Sequence, residues 1–574
     1  MTETTVSVET AAEGILEALN LNGIDYVFGS PGSDDVPFWN HLEQFEDEGR
    51  TPGYVQCRHE KLAVDMARGY AMMTGDPQVV KLHVTVGPLN AALGIWGAYA
   101  SETPMVILSS YVREHEGETA GGPYDLDFHQ PGGHENNFQR YLKWMSSVET
   151  SESIADYVAR AVRLARSSPG GPTMLTLPKE VPFEDVGELR ISADEPAAPT
   201  VPSPGTLSEI AEILESAERP VAIAGGLGSD RSAVEALVSM AERLEMGVFE
   251  TPKLRHSFPM DHPLYLGNSA YGVRHRGDQV LEDADAVFVV DSPIPWYPPR
   301  GSAPDADVVF LGTDPVQQRR ANWGYPADVV ATGDSAATLP LLLDQLSDGT
   351  ADGDGHWRSR HDEWRDRWAD RVDAGSDTDA IDPFRAASTV DELVPDDAIV
   401  VNETIDHGSC VSNLIDDGDD RRYLSPEREN AGGLGSGLGL ALGSKLAEPD
   451  RTVTLLTGDG SFNYNPVQAA FGAIQEHDLP ILVVIFNNEG YQVMSAAFAK
   501  DYPDRMNVTE THGTPITPTP DYALQAEAWG AFGETVTEPD DVRPTLERAL
   551  EAVAAGRPAL VDLRMPSRPI EDHP

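Results

Sequence analysis

The sequence predicts an α/β protein built of three doubly wound parallel-sheet domains of similar size. Short β-branched runs alternate with helical periodicity along most of the chain. Two polar stretches, 192–204 and 347–379, interrupt that alternation. The length of 574 residues suits three or four domains at roughly 150 residues each. The expected blocks are residues 1–190, 205–346 and 381–566.

In the first block, residues 10–21 read as an amphipathic helix and 26–28 as a strand ending in the turn Gly29-Ser30-Pro31-Gly32. Residues 60–73 read as a helix, 79–86 and 104–109 as strands, and 174–177 as the last strand. The Pro- and acid-rich segment 192–204 reads as a linker. In the second block, 221–224, 286–290 and 308–311 are apolar, strand-sized runs. The acidic segment 347–379 holds a surface helix around 356–371. In the third block, 452–456 is a strand of buried type, 466–476 a helix and 480–486 the next strand.

Composition narrows the function. The chain has 94 Asp+Glu against 41 Lys+Arg, a net charge of −53, and only seven of the basic residues are Lys. Such a charge repels phosphate backbones and anionic lipid, which argues against nucleic acid and membrane surfaces as partners. Hydrophobic residues at 40% still provide for cores, so this is not a disordered acidic chain. An acidic, Lys-poor surface resembles that of proteins from salt-loving archaea, where salt near 1 M shortens the Debye length to about 3 Å and screens self-repulsion; an ordinary acidic cytosolic protein is the alternative. Two cysteines, Cys57 and Cys410, build neither a disulfide framework nor a Cys-rich metal site. No signal peptide is visible at the start, and the longest aliphatic runs fall short of the ~20 residues that span a bilayer. A cytoplasmic location is expected.

The strand at 452–456 runs into Thr457-Gly458-Asp459-Gly460-Ser461, and the strand at 480–486 into Asn487-Asn488-Glu489-Gly490-Tyr491. A parallel β–α–β crossover puts both strand ends on one edge, where open α/β sheets bind ligands. Asp459 and Asn488, 29 residues apart, are therefore expected to meet. One carboxylate, one amide oxygen and a backbone carbonyl, completed by phosphate and water, suit Mg²⁺. Gly458 and Gly460 let backbone N–H groups approach phosphate closely. Each motif alone is only a turn signal; the pair at matching strand ends points to a site.

Together these motifs resemble the signature of thiamine-diphosphate enzymes of the acetolactate synthase, benzoylformate decarboxylase and pyruvate decarboxylase superfamily. The resemblance covers nearly the whole chain, in the order pyrimidine-binding, central and diphosphate-binding domain. It implies thiamine diphosphate and Mg²⁺ as cofactors, with Asp459, Asn488 and the Gly490 carbonyl as metal ligands. Gly458, Gly460, Ser461 and Tyr464 then belong to the cofactor-binding segment. Some acetolactate synthases carry FAD in the central domain, and no fingerprint here decides for or against it. The resemblance also implies a homodimer or homotetramer with active sites between subunits.

Cys57-Arg58-His59-Glu60 opens a helix that resembles the family segment whose Glu contacts N1′ of the aminopyrimidine. A Glu in an apolar cleft has a raised pKa and can hold the proton that this contact requires. Outside that setting Glu60 would be an ordinary helix N-terminal carboxylate. Gly432-Gly433-Leu434-Gly435 resembles the loop that props the bent cofactor, with Leu434 as the prop; close helix packing is the other reading of these glycines.

The family resemblance implies decarboxylation of a 2-oxoacid, a small molecule, with the enamine then protonated or coupled to a second carbonyl. His83, 23 residues after Glu60, resembles the active-site histidine of benzoylformate decarboxylase, and Ser33 its substrate-contacting serine. An ordinary hydrogen-bonded strand histidine is the plainer reading of His83. Lys179 resembles a lysine near the acetolactate synthase substrate channel, or is a surface lysine after a strand. Ala497 stands where branched-chain synthases carry a substrate-selecting Trp. The expectation is an acetolactate-synthase-like decarboxylation with carboligation; the alternatives are a simple decarboxylase of benzoylformate decarboxylase type and a catalytically silent thiamine-diphosphate-binding protein. His115, His129 and His134 read as a surface loop or as proton donors at the cofactor cleft, and their spacing makes no zinc motif.

Overall fold

The computed structural model describes residues 2–566 except 33–34, 112–134, 194, 252–254, 270–272, 274–279, 319–322, 348–352, 377, 416–421, 426–432 and 503–511. Among the described residues, twenty strands form three six-stranded sheets, all parallel, and one two-stranded antiparallel ribbon. The three α/β sheet domains expected from the alternating pattern are present. Two compact units carry them: Met1–Ala197 with Gly432–Asp450 and Asn463–Pro480, and Ala198–Ala431 with Arg451–Phe462 and Ile481–Pro574.

In the first unit the sheet order is Gly53–Gln56, Tyr26–Gly29, Gln78–Leu82, Met105–Tyr111, Pro172–Pro178, Trp144–Ser147. Numbered by sequence, that order is second, first, third, fourth, sixth, fifth, so chain direction along the sheet reverses between Tyr26–Gly29 and Gln78–Leu82. The helix Ala11–Leu21 is capped by Thr10, whose Oγ1 accepts from Glu13 N, and it buries Ile15, Leu16 and Leu19 in the sheet's core.

Three expectations are corrected here. The strand predicted at 79–86 stops at Leu82, and the chain turns into a helix, Val86–Ala100, with Pro88 in its first turn, where its missing N–H costs nothing. The segment 174–177 is not the unit's last strand: Asp185–Ala193 follows and pairs antiparallel with Thr2–Thr10. The linker thus begins after Ala193 rather than at 192. This ribbon is polar and mostly exposed on one face, so it lacks the apolar run that marks a buried strand.

The helices Glu60–Thr74 and Gly437–Ala447 pack with backbones nearly touching within this unit. A side chain at Gly69 would overlap Leu440, one at Gly439 would overlap Asp65, and one at Gly443 would overlap Met66.

In the second unit, the sheet Arg422–Leu424, Ile399–Glu403, Val453–Gly458, Leu482–Asn487, Ala559–Arg564, Phe532–Val536 repeats the second, first, third, fourth, sixth, fifth order. Its core holds Val400, Leu456, Val484, Phe486 and Val561, all buried. The expected turn 457–461 is instead a strand end followed at once by a short helix, Asp459–Tyr464. The other sheet runs Tyr265–Asn268, Gly247–Glu250, Pro220–Ala224, Ala286–Val290, Asp307–Gly312, Val329–Thr332. No helix among the described residues is long and apolar enough to cross a membrane.

Candidate functional site

The reversal point of the Ile399–Glu403 sheet carries the predicted metal residues. Asp459 follows the third strand and is buried; its carboxylate accepts backbone N–H groups from its own residue, Gly460 and Gly490. Burial pushes the Asp459 carboxyl up to about 7 against the lowering effect of those N–H groups, with buried Asp562 adding repulsion. Gly490 thus reaches Asp459 from the next strand's loop, two residues past Asn488, the residue the crossover argument names. Asp459 Oδ2 and Asn488 Oδ1 are both buried and carry no hydrogen-bond partner. Two such oxygens at one strand edge are costly unless a cation or donor takes them. A hard divalent ion is the chemistry that satisfies an all-oxygen pair, so the residues fit Mg²⁺ and the diphosphate it would carry.

The loop bearing Asn488 is fixed from three sides. Asn487 Nδ2 donates to buried Asp562 at 2.8 Å, and Arg564 Nε reaches the same carboxylate at 2.9 Å. Arg564 Nη1 also meets Glu489 at 2.9 Å, which steadies a residue at φ 59°. Tyr491 N donates to Thr514 O at 2.8 Å and Ile516 N to Glu489 O at 2.9 Å. Asn488 Nδ2 donates to Asp406 Oδ2 at 3.1 Å. Gly460 lies under the Tyr491 ring, where a methyl group would stand 2.7 Å from a ring carbon. Ser461 is buried, and Gly458 ends the strand half-buried.

In the other unit, Glu60 is the first residue of its helix, half-buried, and accepts from Asn90 Nδ2. The approach to Glu60 is clamped by the segment 463–480. Arg58, at φ 57°, donates through Nη2 to Glu476 at 2.7 Å, and His477 Nε2 lies 3.0 Å from Gln56 O. Burial lowers the pKa of His59, the helix cap. Next on the helix, Lys61 bonds Asp65 at 2.7 Å and the Gly435 carbonyl beside half-buried Leu434. Gly435 sits at φ +86°, and a side chain there would overlap the Tyr464 carbonyl, so only glycine fits. Asn465 Oδ1 accepts from Leu438 N at 3.0 Å, tying the Tyr464 segment to the start of the 437–447 helix, and Tyr464 itself is exposed.

His83 is the first residue past the strand Gln78–Leu82 and is half-buried. Lys179 follows Pro172–Pro178 and is buried rather than a surface lysine. Ser33, His115, His129 and His134 lie outside the described residues. Asp406, Asp562, Asn90 and Arg58 were missed by sequence reasoning. Asp406 had a signal, since it follows the strand end Asn402-Glu403-Thr404; the others act through contacts remote in sequence.

The central sheet has the third, second, first, fourth, fifth, sixth order that elsewhere binds dinucleotides at its reversal point. Here the groups such a ligand would use are taken by the chain. The Asp230 carboxylate accepts from Ser232 N at 2.9 Å and Ala233 N at 3.1 Å, capping the first-crossover helix Arg231–Leu244. Leu227 N donates to Ser257 Oγ at 3.2 Å. Glu250, ending the second strand, is fully buried against Ser257 N, His256 Nδ1 at 3.0 Å and Tyr265 Oη at 3.0 Å. The Asp230 cap puts a carboxylate at the helix N-terminus where a dinucleotide pyrophosphate sits in sheets of this order.

Three family models match in sequence order: the thiamine pyrophosphate enzyme N-terminal TPP binding domain over 9–139, the central domain over 207–342 and the C-terminal TPP binding domain over 406–563. The chain belongs to the thiamine pyrophosphate enzymes and is a thiamine-diphosphate-dependent enzyme acting on 2-oxoacids. It is 28% identical to the acetolactate synthase isozyme 3 large subunit of Escherichia coli (strain K12), over 96% of this chain and 94% of that protein. It is 26% identical to the benzoylformate decarboxylase of Pseudomonas aeruginosa, over 98% of this chain and all of that one. Among solved structures, the thiamine diphosphate-dependent 4-hydroxybenzoylformate decarboxylase of Rhodococcus jostii RHA1 superposes with a TM-score of 0.75 at 26% identity, covering 97% of this chain and 99% of that one. A Mycobacterium smegmatis thiamin diphosphate-dependent enzyme superposes with a TM-score of 0.74 at 23% identity, covering 97% of this chain and 100% of that one, which speaks for the fold alone.

Proposed function

We propose that the protein decarboxylates a 2-oxoacid and couples the fragment to a second carbonyl, in the manner of acetolactate synthase. The observation that carries the cofactor chemistry is the buried, partnerless oxygen pair of Asp459 and Asn488. In this reading Asp459, Asn488 and the Gly490 carbonyl hold Mg²⁺, and Gly458, Gly460, Ser461 and Tyr464 line the diphosphate. When bound, thiamine diphosphate would supply carbanion chemistry at a 2-oxoacid carbonyl and an electron sink for loss of CO₂. Glu60 holds a proton toward the aminopyrimidine, with Asn90 fixing its carboxylate. Leu434 would support the cofactor, and Lys61 steadies the Leu434 loop through the Gly435 carbonyl. Lys179, buried after its strand, and Ser33 serve the substrate side. The three domains cover 1–190, 205–346 and 381–566, and a homodimer or homotetramer completes the sites between subunits. The central domain takes no FAD. The charge of −53 reads as adaptation to concentrated salt in a cytoplasm rich in it.

A second reading, a simple decarboxylase, is favoured by His83. A half-buried imidazole at the C-terminal end of a sheet strand, beside the reversal point, is where a proton donor to a bound product would stand. The test is NMR product analysis in concentrated KCl with Mg²⁺ and thiamine diphosphate, feeding pyruvate and benzoylformate separately. Acetolactate from pyruvate supports the coupling reading. Benzaldehyde without coupled product replaces it with the decarboxylase and makes His83 a proton donor.

A further inference from the structure

We propose that Asp406 is a positioning residue for the cation site, holding the Asn488 amide so that its oxygen faces the metal. An Asn side chain presents an oxygen or an NH₂ group to a cation according to a half-turn of its amide, and only the oxygen can ligate. The Asn488 amide nitrogen donates to Asp406 Oδ2 at 3.1 Å, while its oxygen is buried without a partner. A carboxylate accepts and never donates when ionised, so it selects this rotamer over the flipped one, in which two oxygens would face each other. The other Asn of the pair is fixed by the same device: Asn487 Nδ2 donates to Asp562 at 2.8 Å and Asn487 Oδ1 accepts from Glu489 N at 3.1 Å. Asp406 comes from the loop after Ile399–Glu403, the strand across the reversal point from Val453–Gly458, so the ligand and its orienting group are carried by different strands. His407 Nε2 lies 3.6 Å from the same Asp406 oxygen and is a second polar neighbour of it. Groups that orient a metal ligand in this way change metal affinity roughly 10- to 100-fold when removed.

The inference rests on the metal reading above, and its test separates the two. Mn²⁺ serves as the probe, its free aquo-ion signal followed by electron paramagnetic resonance while the full-length protein is titrated in the presence of thiamine diphosphate. Asp406→Ala should weaken Mn²⁺ binding about tenfold or more. Asp406→Asn keeps an acceptor oxygen toward Asn488 Nδ2 and should recover most of that loss. Equal affinity in the wild type and Asp406→Ala overturns the inference and leaves the metal reading intact. An Asn variant as weak as the Ala variant also overturns it, because charge rather than orientation would then be the cause. A wild type that takes up no Mn²⁺ with thiamine diphosphate overturns the metal reading and this inference together. If Asp406→Ala does not fold, Asp406→Ser, whose hydroxyl stops short of Asn488, carries the same expectation.

Discussion

Two sheets of this protein share one strand order and use its reversal point in opposite ways. In the Tyr26–Gly29 sheet the loop after the first strand supplies Asp35, the third strand Lys81 and the end of the fourth Ser110. Lys81 Nζ bonds the Asp35 carboxylate and lies 3.0 Å from Ser110 Oγ, which itself bonds Asp35; all three are buried. In the Ile399–Glu403 sheet the corresponding places hold Asp406, Asp459 and Asn488; Asn488 Nδ2 donates to Asp406, and Asp459 Oδ2 and Asn488 Oδ1 are buried with no hydrogen-bond partner. One edge carries its own cation on a side chain, and the other sets two carboxylates and an amide at the matching places. Lys81 thus fills with its own ammonium the edge whose counterpart in the other sheet is, in the proposed reading, the metal edge.

In the proposed reading Glu60 serves the chemistry and the Asp459 edge anchors the cofactor, and the largest effect tests that division. Glu60→Gln should lower turnover about 10²- to 10⁴-fold while thiamine diphosphate affinity, read by fluorescence titration, stays near wild type; unchanged turnover breaks the division. Lys81→Met leaves Asp35 buried without its cation and should destabilise the protein by about 3–5 kcal/mol in chemical denaturation. Adding Asp35→Leu should restore much of that, and cofactor affinity should hold in both. A Lys81→Met protein as stable as wild type would mean the ion pair is not what closes this edge. Asp459→Ala should cost about 100-fold in cofactor affinity in Mg²⁺ with little change in the denaturation midpoint, the reverse of the Lys81 result. The smallest effect concerns the third sheet. Asp230→Ala should lose about 1 kcal/mol of helix capping, and neither it nor the wild type should bind FAD saturably; a yellow, flavin-loaded protein at purification would refute the self-capped crevice.

Much of this was legible in the sequence, and for physical reasons. Buried parallel strands such as Leu482–Asn487 are apolar on both faces, so they show as continuous runs. Asp459 and Asn488 follow such runs, so crossover geometry alone brings them to one edge. The ribbon Thr2–Thr10 with Asp185–Ala193 was illegible because its polar residues carry neither periodicity, and its partners lie far apart in the chain. Val86 was misread because a valine continues a strand pattern as readily as it starts a helix. Lys81 and Asp35 gave no signal as a pair: nothing in KLHV says that the lysine turns inward to a carboxylate 46 residues earlier. Lys179, too, ends a strand where lysines are mostly solvated, yet it is buried.

The glycine-faced helix pair has a consequence for how this protein can change over time. Between Glu60–Thr74 and Gly437–Ala447 there is no room for even a methyl group at Gly69, Gly439 or Gly443. The gap between the two helices is therefore a fixed length, and it sets how far Glu60 stands from the Leu434 loop. Mutations to alanine at those three positions, mild by any composition scale, act as a change of ruler. Lineages descending from this sequence are free to drift at exposed positions such as Val493, Met494 and Phe498, while the spacing of the two helices stays locked by residues that have no side chain to vary.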